Sequence, residues 1–203
     1  MKIRQFAVYL FAGLFAAGIL ASCSGPQVTR VDSSEEVDFS GNWNDTDSQL
    51  VSKEMIADSL NRSWVDDYLK RYDKRPRVIV GTVLNKTEEH IATETFIKDL
   101  ERELINSGKV VFVASSSQRD EVRAERDDQA QNSKAGTAKQ HGQETAADFM
   151  VKGQINSIFD GKKGAELKYY QVELELINIE TNEKVWIGQK KIKKVVARKK
   201  YKA

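Results

Sequence analysis

Between residues 48 and 71 the apolar positions Val51, Met55, Ile56, Leu60 and Trp64, with Tyr68 after them, recur at the spacing of one helix face. One amphipathic helix is predicted from Ser48 to about Arg71, with Asp45-Thr46-Asp47-Ser48 supplying capping oxygens. Upstream, Val37 to Asn44 reads as a loop or short strand whose Phe39 and Trp43 dock on the domain. Pro76 demands extended backbone before it. Arg77 to Leu84 then turns β-branched and predicts a central strand. A polar loop, Asn85 to Glu89, leads to a second helix from Thr93 to Asn106, with Phe96, Ile97, Leu100 and Leu104 on its inner stripe and Ser107-Gly108 as its stop. Lys109 to Ala114 is a further strand. Two strands joined by a helix predict parallel pairing.

Residues 115 to 143 are the least apolar part. Gln118 to Gln129 predicts a solvent-facing helix, Asn132 to Lys139 a loop, and a thin apolar pattern a helix from near Thr137 to near Ala147. Strands are predicted at Asp148–Phe159, Leu167–Ile179 and Lys184–Val195, joined by a Lys-rich turn at Gly161–Gly164 and a hairpin loop at Thr181-Asn182-Glu183. Val172, Leu174 and Leu176 share one face, while Glu173 and Glu175 face the other way. That alternation marks a sheet with one wet face. The expected fold is α/β: a single domain whose mixed β-sheet is packed with helices mainly on one face.

The N-terminus changes the picture from a free domain to an anchored one. Lys2 and Arg4 precede the uncharged, mostly apolar run Phe6 to Ala21, the layout of a secretory signal. Leu20-Ala21-Ser22-Cys23 then resembles a bacterial lipoprotein cleavage box. The expected organisation is a signal peptide over 1–22, a lipidated Cys23 with a tether to 36, a globular domain over 37–196 and a basic tail over 197–203. Thirteen tether residues reach about 43 Å at roughly 3.3 Å each. The chain carries 32 basic and 30 acidic residues. Loss of Lys2 and Arg4 with the signal leaves the two signs balanced, which argues against a nucleic-acid binder. A single Cys precludes an intramolecular disulfide framework.

Candidate chemistry is sparse. His90 follows Glu88-Glu89 in the loop after the first strand, where α/β enzymes place catalytic groups. A hydrolase would use His90 as base, Glu89 or Glu94 as acid, and Thr87 or Ser115 as nucleophile, but no spacing demands this. His141 lies in a polar stretch and reads as exposed. No cofactor, metal or phosphate-binding motif is predicted. The stronger feature is a basic C-terminal run with no acid after Glu183: Lys190, Lys191, Lys193, Lys194, Arg198, Lys199, Lys200 and Lys202. It suits an acidic protein face, an anionic cell-wall polymer or lipid headgroups; a Lys-protected sheet edge is the structural alternative. Trp43 and Trp186, if exposed, are candidate partner contacts beside Lys190, Lys191, Lys193 and Lys194.

Gly41-Asn42-Trp43-Asn44-Asp45-Thr46-Asp47-Ser48, Met55-Ile56, Trp64, Pro76, Val78-Ile79-Val80-Gly81 and Asn85-Lys86-Thr87-Glu88-Glu89-His90-Ile91 resemble the LpoB-like family, lipoprotein activators of bifunctional penicillin-binding proteins. The resemblance runs from about Val37 to Val195. It implies a domain similar to the N-terminal domain of TolB, held at the outer membrane by acylated Cys23 and facing the periplasm. It implies a non-enzymatic protein that binds and stimulates a peptidoglycan synthase, with peptidoglycan itself as a further candidate ligand. The other readings are a structural or secretion-assembly lipoprotein, similar to the curli exporter, and a hydrolase centred on His90.

Overall fold

The computed structural model describes residues 28–32, 35–162 and 164–197. Cys23, the signal peptide and residues 198–203 lie outside them. The chain divides into two units, 1–35 and 36–203. Of the first, the described residues show one turn contact, the Glu35 N–H donating to the Asp32 carbonyl at 3.0 Å.

Among the described residues the second unit holds nine elements. Helices α1 (Asp45–Leu60) and α2 (Trp64–Tyr72) precede strand β1 (Arg77–Asn85). Helix α3 (Thr93–Asn106), the short strand β2 (Val111–Phe112) and helix α4 (Ser116–Asn132) follow. Three long strands close the chain: β3 (Phe149–Lys162), β4 (Ala165–Asn178) and β5 (Lys184–Ala197). The sheet order is β2-β1-β3-β4-β5. β1 pairs in parallel with β2 and β3, and β4 is antiparallel to both its neighbours. The predicted β-α-β unit and the mixed sheet are both present.

The core lies between one face of this sheet and helices α1, α2 and α3. Phe96, Leu100 and Leu104 project from α3, and Val51, Met55, Ile56 and Leu60 from α1. They meet Val78, Val80 and Val83 of β1, Val151 and Ile155 of β3, and Val172, Leu174 and Leu176 of β4. Removing apolar surface of this kind from water is the main stabilising term, about 1.5–3 kcal/mol per large side chain.

Several sequence expectations need correction, among them the docking of Phe39, which is 95% exposed. The helix expected over 48–71 is two helices: the chain breaks at Asn61–Ser63, where the Asn61 N–H returns to Ala57 and Asp58 carbonyls at 3.2 Å. α1 also starts earlier, at Asp45. Asn44 caps it by accepting from the Asp47 N–H at 3.1 Å, and the Asp47 carboxylate accepts from the Asn44 N–H at 3.0 Å. The strand over 109–114 shrinks to Val111–Phe112, because the chain leaves the sheet edge for the Ser115 cap of α4. No helix forms over 137–147. That stretch is turns and irregular chain, pinned by Glu144 to Arg123 and Arg126 of α4 rather than by apolar burial.

Candidate functional site

Strand β5 alternates, and alternation decides the fate of the basic run. Trp186, Lys190 and Lys194 face inward beneath α1, whereas Ile187, Lys191, Lys193 and Val195 are exposed on the other side. The acids of α1 recur at the spacing of one helix face and meet the inward set. The Trp186 indole N–H donates to Asp58 Oδ2 at 2.8 Å, Lys190 pairs with Glu54, and Lys194 Nζ reaches Asp47 Oδ2 at 2.6 Å and Asp38 Oδ2 at 2.7 Å. The Trp186 bond, with Arg62 behind it, holds the Asp58 carboxyl below its ordinary range. Lys194 is 13% exposed. Burial works against its charge, but Asp38 and Asp47 prevail and raise its pKa. Asp38 is lowered, first of all by that hydrogen bond.

Trp43 is likewise engaged inside. Its indole N–H donates to Ser48 Oγ at 2.8 Å, and its ring stands edge-on to Phe96 and Tyr170. Trp186 is 6% exposed. Trp186 is therefore part of the domain's interior, and Trp43 is half-buried with its indole N–H and ring engaged.

The loop after β1 turns Glu89 inward and leaves His90 exposed. Glu89 accepts from the Trp43 backbone N–H at 3.1 Å, the Tyr170 hydroxyl at 2.8 Å and Lys168 Nζ at 3.3 Å. Burial, then the Glu89 carboxylate, pushes the Tyr170 phenol up. Lys168 also bonds the Asn42 side chain, and Lys194 donates to the Asn42 carbonyl at 3.0 Å. Residues 38–44 are thereby latched onto β4 and β5. Thr87 is spent on the loop, its hydroxyl bonding Asn85 and the Glu89 backbone, and Ser115 caps α4. Thr87 meets Glu89 only at the Glu89 backbone, and among the described residues no hydrogen bond joins His90, the Glu89 carboxylate, the Thr87 hydroxyl and Ser115 into one set. Glu94 lines a cleft of about 770 Å³ between β1, α3 and the start of α4. Ser115 also lines it, and its hydroxyl bonds Gln118.

The sheet's second face carries the remaining candidates. Paired rows cross β3, β4 and β5: Lys152–Glu175–Ile187, Gln154–Glu173–Gln189, Asn156–Gln171–Lys191, Ile158–Tyr169–Lys193 and Asp160–Leu167–Val195. Leu84 of β1 joins the Glu173 row through Gln154. Gln154, Gln171 and Gln189 all donate to Glu173 and hold its carboxyl low. Lys184 pairs with Glu175 at 2.7 Å. The predicted wet face is present, but it is not purely polar: Leu84, Ile158, Ile187 and Val195 are exposed on it. Sequence reasoning missed these four as surface residues. Ile158, Ile187 and Val195 sit at the parity opposite the core residues of their strands, whereas Leu84 shares the parity of Val78 and Val80 and reaches this face through the irregularity between Val80 and Val83.

A family model described as peptidoglycan-synthase activator LpoB matches residues 47–192. Among solved structures, the chain is similar to the C-terminal domain of LpoB from Escherichia coli at 16% identity, covering 72% of this chain and 98% of that one with a TM-score of 0.45. The corresponding domain from Salmonella enterica is 20% identical, with 63% and 91% coverage and a TM-score of 0.36. The NMR structure of E. coli LpoB is 15% identical, with 87% of each chain covered and a TM-score of 0.42. No curated protein matches the chain significantly.

Proposed function

The chain belongs to the peptidoglycan-synthase activator LpoB family, a family of non-enzymatic proteins, and from that premise we propose that it binds and activates a bifunctional penicillin-binding protein at the outer membrane. Acylated Cys23 anchors it, the domain faces the periplasm, and its fold is kin to the N-terminal domain of TolB. The observation that carries the reading is the family match, whose span coincides with the elements from α1 to β5.

The middle rows of the open face supply the contact. Leu84 and Ile187 are exposed apolar groups among Glu173, Glu175, Lys152 and Lys191. A few apolar anchors inside a polar rim are what a regulatory interface needs. Lys191 is the member of the basic run that serves this contact. Trp43, Trp186, Lys190 and Lys194 act behind it by holding α1 and the 38–44 segment against the sheet.

The test is affinity capture from membranes with the acylated protein. A bifunctional synthase should be recovered, and Ile187→Ser combined with Lys191→Glu should reduce recovery without lowering the domain's melting temperature. Wild-type protein that recovers no synthase contradicts the reading.

A further inference from the structure

We propose that the open outer edge of β1, in the cleft between α3 and the start of α4, takes an extended acidic segment of a partner protein as an added strand. In a β-α-β unit the crossover helix packs back over the strands it joins. Here β2 ends at Phe112 and pairs only with Arg77 and Val78. Beyond them, Thr93, Glu94 and Ile97 of α3 and Ser115 to Arg119 of α4 wall the cleft of about 770 Å³ beside the rest of β1. It is the next strand position of the sheet, and no described residue fills it.

The edge in that cleft is a row of unmade backbone bonds. The Val113 N–H donates to the Val78 carbonyl at 2.9 Å, which fixes the outward side of β1. Backbone groups alternate along a strand, so the Val80 N–H and carbonyl point the same way. Past the irregularity between Val80 and Val83, Lys86 donates its N–H to the Ile155 carbonyl of β3 at 2.8 Å, so Val83 is again outward. Neither Val80 nor Val83 has an outer backbone partner among the described residues. Sheet edges are ordinarily guarded by charge, as β5 is by its lysines. β1 carries no charged residue from Ile79 to Asn85. Arg119 stands where the chain leaves the edge. Its Nη1 donates to the Ala114 carbonyl at 3.2 Å, its Nε is buried without a partner, and no carboxylate pairs with it among the described residues.

These groups select the occupant. An extended polypeptide supplies N–H and carbonyl groups at the spacing of Val80 and Val83, which a lipid headgroup or a glycan does not. Its side chains alternate between the two walls. The set on the α3 side meets Ile97 and suits an apolar residue. The set on the α4 side meets Arg119 and suits a carboxylate, which can accept from Nε and Nη2 together. Lys98 is already paired with Glu101 at 2.6 Å, so Arg119 is the cation left for the occupant. Glu94, without an ion pair among the described residues, keeps that carboxylate to the α4 side. The proposal does not rest on the synthase reading. Leu84 of that contact adjoins Val83, but Ile187 and Lys191, on which its test turns, lie on β5, roughly 14 Å across the sheet at about 4.8 Å per strand spacing.

The test pans a displayed library of random peptides on the unacylated chain from Ser24, whose core lies wholly within residues 36–203. Selected peptides should be rich in β-branched residues and share an acidic position. The tightest of them, synthesised, should give intermolecular NMR contacts between its α-protons and the amide protons of Val80 and Val83. Arg119→Gln should weaken its binding about tenfold. Arg119→Glu should bind the same peptide better once lysine replaces its acid, a gain that a misfolded variant would not show. Lys70→Gln, on α2, should leave binding unchanged. Failure to select any peptide, contacts away from β1, or undiminished affinity in Arg119→Gln overturns the proposal. So does a dimer in sedimentation that pairs through this edge, since that assigns it to a second copy of the chain. Synthase capture by the acylated protein is read separately, so the two proposals fail independently.

Discussion

Lys193 and Lys194 are neighbours in sequence and opposites in role, and replacing each by Met separates them. Lys194 satisfies the Asp47 carboxylate, which is 8% exposed, and the more open Asp38 carboxylate. Removing one partner of a buried ion pair costs about 3–5 kcal/mol because the other charge stays desolvated. Here Asp38 can rehydrate and Asp47 keeps the Asn44 N–H, so the expected loss for Lys194→Met is about 2–3 kcal/mol. A domain of this size shifts by about 2–4 °C per kcal/mol, which gives a melting temperature lower by roughly 5–10 °C. Lys193→Met, on the exposed side, should stay within about 0.5 kcal/mol of the wild type. Urea denaturation of the unacylated chain from Ser24 measures both. Adding Asp47→Asn to Lys194→Met should cost less than the two changes summed, by about 1 kcal/mol or more. If Lys194→Met behaves like Lys193→Met, or the double change is additive, the ion-paired register of β5 under α1 is wrong.

Trp186→Phe leaves Asp58 without its indole donor and should lower stability by about 1–2 kcal/mol in the same assay. Gly41 has φ +69° and abuts Val196, so Gly41→Ala combines a left-handed backbone with a steric clash and should cost roughly 1–3 kcal/mol. The lowered carboxyls of Asp38 and Asp58 contribute stability above their ordinary 3.8, and it should fade as pH falls through their lowered values. Lys194, raised above its ordinary 10.5, contributes below that pH and should lose its part as pH climbs past the raised value; Lys194→Met should flatten this alkaline limb. Glu144, between Arg123 and Arg126, should titrate at about 2 by NMR, and Arg123→Gln should return it toward 4.5.

What could be read from the chain depended on how locally each element is specified. The period-two pattern of Val172, Leu174 and Leu176 against Glu173 and Glu175 is decided within one strand, and the structure places both sets where the pattern requires. The stripe of α3 is equally local. The break after Leu60 was hidden because Trp64 keeps helical spacing across it. The turn instead shows in three dimensions, where the Trp64 indole N–H donates to the Ser59 carbonyl at 2.7 Å. The basic run of β5 was the hardest to divide. Composition makes Lys190, Lys191, Lys193 and Lys194 equivalent, and only the passage of Glu54 and Asp47 of α1 over the strand distinguishes the inward pair. Glu89 misled for a related reason: beside His90 it suggested acid chemistry, while Tyr170 and Lys168, some eighty residues later, claim it for the latch.

Stimulation of a peptidoglycan synthase by contact with this domain is the proposed function. Its most direct test adds the purified chain from Ser24 to a bifunctional synthase and follows glycan polymerisation from lipid-linked precursor. The expected result is a faster rate that saturates with added protein and is lost with Ile187→Ser combined with Lys191→Glu. An unchanged rate at saturating protein, or full stimulation by that double variant, contradicts it.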